Sequence, residues 1–184
     1  MIATVILLAL LIIASLTDIY RHKIYNWTTY TGILMAIGLS LLASFFGLTE
    51  MAQVDFRQSL FGLLVCGGVM VVCFALFQIG GGDVKLLAMI GAFVGPAGGL
   101  EVLLWTFVLG AAVAVIILIW KFGAVDLLFA VLGQLFNKLQ WGKWQTLSEQ
   151  QKAELQTPLY LAPCALPAFL IVYLMPITAL TGNI

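Results

Sequence analysis

A chain of 184 residues of which 63% are hydrophobic and only 9% charged cannot cover itself with a wetted surface; a soluble domain carries about 25% charged residues. Its 8 basic and 8 acidic residues cancel, so no global field draws it to nucleic acid or to an anionic surface. The cysteines, Cys66, Cys73 and Cys164, all lie within apolar runs and form no CxxC pair, which argues against a zinc site, a redox motif or a disulfide framework.

The apolar runs are continuous rather than alternating, so they read as membrane helices and not as barrel strands. The length allows about six spans of roughly 20 residues with their connections. The runs place these at residues 1–18, 27–48, 59–80, 84–96, 100–121 and 160–180. No positive charge precedes the first run, Arg21 and Lys23 follow it, and no small-residue cleavage site ends it. It therefore reads as a retained first helix, not a signal peptide. The connection 49–58 is short and polar, with Glu50, Gln53, Asp55 and Arg57. Gly80, Gly81 and Gly82 break the chain between the third and fourth spans. The fourth span is short for a crossing unless the Gly-Pro-Ala-Gly-Gly run at 95–99 lies near the far surface. Gly91 and Gly95 form a small-xxx-small pair, which predicts close helix packing.

The longest connection, 122–159, sets Leu128, Val131, Leu132, Leu135 and Leu139 at helical spacing. This predicts an amphipathic helix lying in the interface, with Trp141 and Trp144 at headgroup level. Ser148 and Gln151 have capping-box spacing for a further short helix. Alternating connections put Arg21, Lys23, Lys85, Lys121, Lys138, Lys143 and Lys152 on one side and only Arg57 on the other. Basic loops stay cytoplasmic, so that side is the cytoplasm and both termini face outward. The expectation is an all-α integral membrane protein, a single polytopic domain over 1–184 in the cytoplasmic membrane, with a cytoplasmic amphipathic segment before its last helix.

Most acidic residues sit where charge is cheap: Glu50, Asp55, Glu149 and Glu154 in polar connections, Asp126 opening the amphipathic segment, Glu101 at a helix N-terminus. Asp18 and Asp83 differ, because each adjoins a long apolar run at the same, cytoplasmic face. Ionisable groups at membrane depth are costly and mark functional sites, although pairing with a nearby Arg or Lys also accounts for such carboxylates. Glycines beside Asp83 permit positive φ and leave room for another backbone, as an extended peptide laid beside the carboxylate requires. Two carboxylates suffice for peptide hydrolysis without a metal or covalent intermediate: one takes a proton from water and the other, protonated, polarises the scissile carbonyl. At close approach they share a proton, and their titration belongs to the pair. His22 has no evident Ser or Cys partner and reads as a wetted interfacial residue. Lys85 either supports the charge on Asp83 or snorkels to the interface as an anchor.

Two stretches resemble the signatures of prepilin peptidases, the type IV leader peptidases of the GxGD aspartyl protease class. Asp18-Ile19-Tyr20-Arg21-His22-Lys23-Ile24-Tyr25-Asn26 is similar to their first signature, an Asp followed by basic residues and Ile-Pro-Asn, with Tyr25 where proline is usual. Gly80-Gly81-Gly82-Asp83-Val84-Lys85 resembles the second, a GxGD with a basic residue after it. The resemblance implies a membrane fold of six to eight helices with catalytic aspartates at Asp18 and Asp83. It also implies that Gly80, Gly82 and Lys85 shape the site, with no cofactor. The partners implied are a prepilin or pseudopilin precursor and the bilayer. Larger members carry a cytoplasmic insert with four cysteines and N-methylate the cleaved pilin. This chain resembles the compact form associated with Flp/Tad-type pilins or archaeal preflagellins, so cleavage without methylation is expected. A presenilin-like intramembrane protease and a small transporter or assembly subunit are the competing readings. The former places both aspartates within long spans, and the latter needs carboxylates along a through-path.

Overall fold

The computed structural model describes residues 2–21, 24–47, 52–77, 80–122 and 161–174, which are helical apart from short connections. Helix α1 (Ile2–Arg21) buries Ala3, Leu7, Leu11, Ala14 and Asp18, a stripe at helical spacing. Its other face is just as apolar: Val5, Ile12, Ile13, Leu16 and Ile19 are exposed. A helix greasy on both faces belongs in lipid, where inward and outward sides differ in packing rather than polarity.

Helix α2 (Asn26–Phe46) starts after Tyr25, an extended residue whose carbonyl accepts the Thr28 N–H at 3.1 Å. It stops at Gly47, which adopts left-handed φ 65° and returns its N–H to the Ala43 carbonyl. Its buried stripe is small: Thr28, Thr29, Gly32, Ala36, Ser40 and Ala43. Small residues let helices approach where no hydrophobic force separates protein from solvent. A β-carbon on Gly32 would meet the Met89 side chain and, at 3.1 Å, Leu10 Cδ1. This helix is thus wedged against both α1 and the element bearing Met89.

Helix α3 (Phe56–Phe77) packs against α4 (Gly81–Phe122) almost backbone to backbone. Ser59 Oγ donates to the Ala92 carbonyl at 2.7 Å, and Gly62 and Gly91 face each other with no room for a side chain on either. Helix α4 is broken at Gly95, where φ 85° and ψ 178° leave the helical region and Pro96 removes a backbone donor. A β-carbon on Gly99 would lie 2.9 Å from Gly91 Cα, so the chain after the break returns onto the part before it. Helix α5 (Leu161–Leu174) packs on α1, where Ser15 Oγ donates to the Ala162 carbonyl at 3.1 Å.

These helices meet in one core built on Leu7, Leu11, Met70, Leu86, Met89, Ile90 and Phe169. They form a compact unit of Met1–Leu109 and Tyr160–Ile184; Gly110–Leu159 form a second unit, described only over the end of α4. In that stretch Val113, Val115, Ile116, Ile119 and Trp120 are exposed.

The all-helical expectation matches the structure. Four helices, over Ile2–Arg21, Asn26–Phe46, Phe56–Leu76 and Gly81–Ile117, are long and apolar enough to cross a membrane, and they mark a membrane protein. The sequence places six spans. The stretch expected as spans four and five is two helical segments joined at the Gly95 break, where the expectation put their boundary, and of the last span only 161–174 are described. The amphipathic segment with Trp141 and Trp144 lies outside the described residues from 123 onward, as do His22 and Lys23.

Candidate active site

At one end of the first unit α1 finishes, α2, α4 and α5 begin, and the two distinctive aspartates come together. Asp18 sits in the last turn of α1 and is buried, 8% exposed. It faces inward because it continues the stripe of Leu7, Leu11 and Ala14 by one further turn. Asp83 lies in the first turn of α4 and is half-buried. The two carboxylates are within electrostatic range of each other, and the buried Cys164 thiol at the start of α5 is within range of both.

Three glycines set the position of Asp83, each differently. The Gly80 carbonyl accepts the N–H groups of Asp83 at 3.1 Å and Val84 at 3.4 Å, which makes Gly80 the cap of α4. The Asp83 side chain folds back over it, and a β-carbon on Gly80 would lie 3.1 Å from Asp83 Oδ2. A β-carbon on Gly82 would lie 3.0 Å from Ile24 Cβ, so this glycine lets the α1–α2 connection rest on the start of α4. Around Gly81 there is open space, with nothing within 4 Å. The G-x-G pattern thus has a steric basis in this chain: the outer positions carry neighbours and the middle one does not. The positive φ that glycine permits is not used here, since the positive-φ glycines among the described residues are Gly47 and Gly95. The glycines of this turn act by clearance.

Lys85 does not reach outward alone. Its Nζ donates to Asn26 Oδ1 at 2.8 Å and lies 5.0 Å from the centroid of the Tyr30 ring. Arg21 Nη1 donates to the Tyr25 hydroxyl at 3.3 Å across the same connection. Sequence reasoning singled out Asp18, Asp83, Gly80, Gly82 and Lys85, and all five lie at this end of the unit. It did not assign roles to Ile24, Tyr30, Ser15 or Cys164. Asn26 stood at the end of the first signature, a signal that its side chain has work to do. No cluster of three or more metal-ligating side chains occurs among the described residues.

The glycine contacts yield a paired expectation. Gly81→Ala meets no neighbour and gains helix propensity, about 0.5–1 kcal/mol, so thermal unfolding in detergent should be unchanged or slightly raised. Gly82→Val drives branched carbons into Ile24 and should lower stability by about 1–3 kcal/mol, as overpacking does. Equal melting of the two variants would contradict this account of the turn.

Helices of crossing length around a buried and a half-buried carboxylate define a membrane protein with a candidate hydrolytic centre. A family model, that of the type IV leader peptidase family, matches residues 5–115, a stretch containing both aspartates, the glycine turn and Lys85. The chain belongs to this family of peptidases. Neither a curated protein nor a solved structure matches it.

Proposed function

We propose that this chain is an aspartyl endopeptidase that removes the short basic leader from prepilin or pseudopilin precursors, with Asp18 and Asp83 as its catalytic pair. It works at the cytoplasmic edge of the inner membrane, as one polytopic domain over 1–184 of about six spans, without a cofactor. The observation that carries this reading is the convergence of these two carboxylates in a chain of the type IV leader peptidase family. One carboxylate, ionised, draws the proton from an attacking water; the other, protonated, donates to the scissile carbonyl and takes up its developing charge. The open space over Gly81 is where an extended peptide approaches without displacing a side chain.

Two features weigh against the competing readings. Asp18 and Asp83 stand in the last turn of α1 and the first turn of α4, at helix ends rather than in mid-span as in a presenilin-like protease. They also share one end of the unit, whereas a transport path needs polar groups through it. Arg21 and Lys85 at the same end fit a cytoplasmic site.

The test is expression of the full chain in membranes with a short pilin precursor whose basic leader ends in Gly, followed by mass spectrometry of the product. The expected product has lost its leader and carries a free N-terminal amine, because the three cysteines of these 184 residues are too few for a four-cysteine insert. An uncut precursor overturns the peptidase assignment. A methyl increment that depends on this chain overturns only the absence of methylation.

A further inference from the structure

The start of α4 is tied to the start of α2 at two successive points. The first is steric: a β-carbon on Gly82 would lie 3.0 Å from Ile24 Cβ, tighter than ordinary contact. The second is polar, three residues further along α4 and at the first residue of α2. Lys85 Nζ donates to Asn26 Oδ1 at 2.8 Å and stands over the Tyr30 ring at 5.0 Å. An ammonium engaged by an amide oxygen and an aromatic face gives up part of its hydration for a fixed geometry, and both contacts are charge-assisted. Asn26 and Tyr30 are one turn apart on α2 and so present their side chains to the same neighbour.

This seam adjoins both aspartates along the chain. Asp18 is in the last turn of α1, which feeds directly into Ile24 and Asn26; Asp83 is flanked by Gly82 and Lys85. Whatever fixes 24–26 against 82–85 therefore fixes the spacing of the two carboxylates. The Lys85 ammonium is engaged by Asn26 and Tyr30, both on α2.

We propose that Lys85, Asn26 and Tyr30 form a positioning clasp that sets the distance and angle between Asp18 and Asp83, with Lys85 as its central member. The inference rests on the aspartyl reading above and extends it. Precise approach of a reacting pair is steeply sensitive to placement, about 10²-fold for 1 Å. Loss of the clasp accordingly lowers the chemical step and leaves precursor binding in place.

The experiment is steady-state cleavage of a pilin precursor by the full chain in detergent or liposomes, with kcat and KM measured separately. Lys85→Met and Asn26→Leu are each expected to lower kcat by about 10- to 100-fold with KM unchanged. Lys85→Arg, which still donates to the amide oxygen and stacks on the ring, is expected to recover most of kcat. The double variant Lys85→Met with Asn26→Leu should be no slower than the worse single one, because both break one contact. Losses that multiply in the double variant, or a raised KM with kcat retained, overturn the clasp. Should Lys85→Met fail to fold, Asn26→Asp decides: it keeps the acceptor and should retain kcat, and a loss equal to that of Asn26→Leu overturns the proposal. Asp83→Asn is run alongside. Cleavage surviving in it sinks the aspartyl reading itself, whereas an inactive Asp83→Asn with multiplying clasp losses sinks the clasp alone.

Discussion

Asp18→Asn and Asp83→Asn are each expected to lower cleavage of a pilin precursor by about 10²–10⁴-fold or more, the contribution of a positioned acid or base. The amide keeps the volume and hydrogen-bonding outline of the carboxyl but neither accepts the water's proton nor carries a shared one. Asp18 is 8% exposed, so a conservative isostere is the right probe: Asp18→Ala would leave a cavity in the α1 stripe and confuse folding with chemistry. Replacing a partly desolvated charge by a neutral amide is not expected to prevent insertion, since it removes a costly group from membrane depth. The double variant should be no slower than the worse single one, because residues that act as a unit lose their effect together. The wild-type dependence of kcat/KM on pH should be bell-shaped, with limbs that belong to the pair, since activity needs one carboxyl ionised and the other protonated. Cleavage of the precursor by either amide variant at near wild-type rate would remove the dyad. A rate that rises to a plateau with no second limb would remove the shared-proton mechanism while leaving the aspartates essential.

The aspartate pair could be read from the sequence because charge is scarce in this chain. Where only 9% of residues are charged, a carboxylate adjoining an apolar run is conspicuous, and two of them at one predicted face are more so. The helices could be read for the same reason, since the bilayer demands long uninterrupted apolar runs. What stayed hidden depends on which face of a helix meets which neighbour. Spacing pairs Gly91 with Gly95, and both do lie against Gly62 of α3, but spacing does not say which helix they meet or that Gly95 also breaks α4 beside Val54. The partners of Lys85 were hidden likewise: a lysine stem reaches many places, and only the packing of α2 beside α4 brings Asn26 and Tyr30 under its ammonium. The glycine turn was half readable. Its need for room was foreseen, but the room is taken by Ile24 and by the Asp83 carboxylate itself, which no local pattern encodes.

Gly62→Ala should cost more stability than any other single methyl added to the described helices of the first unit. A β-carbon on Gly62 would run into the carbonyl oxygen of Gly91 and lie 2.8 Å from the Gly95 carbonyl carbon. A β-carbon on Gly91 would run into the Gly62 carbonyl and lie 2.7 Å from Cys66 Sγ. Both collisions are with backbone, so no rotamer change relieves them, and α3 and α4 have to part. Parting stretches the 2.7 Å bond from Ser59 Oγ to the Ala92 carbonyl and opens the contact of Cys66 with Gly99. Overpacking with no soft neighbour costs about 3 kcal/mol or more, against a gain of only about 0.5–1 kcal/mol from replacing a helical glycine by alanine. Because a whole domain is stable by about 5–15 kcal/mol, the loss is a large share of the total. Gly68→Ala is the matched control on the same helix, since nothing lies within 4 Å of its β-carbon position; it should melt at or slightly above wild type. Thermal unfolding of the three proteins in the same detergent gives the comparison, and a Gly62→Ala variant as stable as Gly68→Ala would show that α3 and α4 do not touch there. The same change should reach the site. Gly91 lies about two turns beyond Asp83 on α4, so a helix pushed away from α3 at Gly91 carries Asp83 with it. Any folded fraction of Gly62→Ala is therefore expected to cleave the precursor more slowly per molecule, whereas Gly68→Ala keeps its rate.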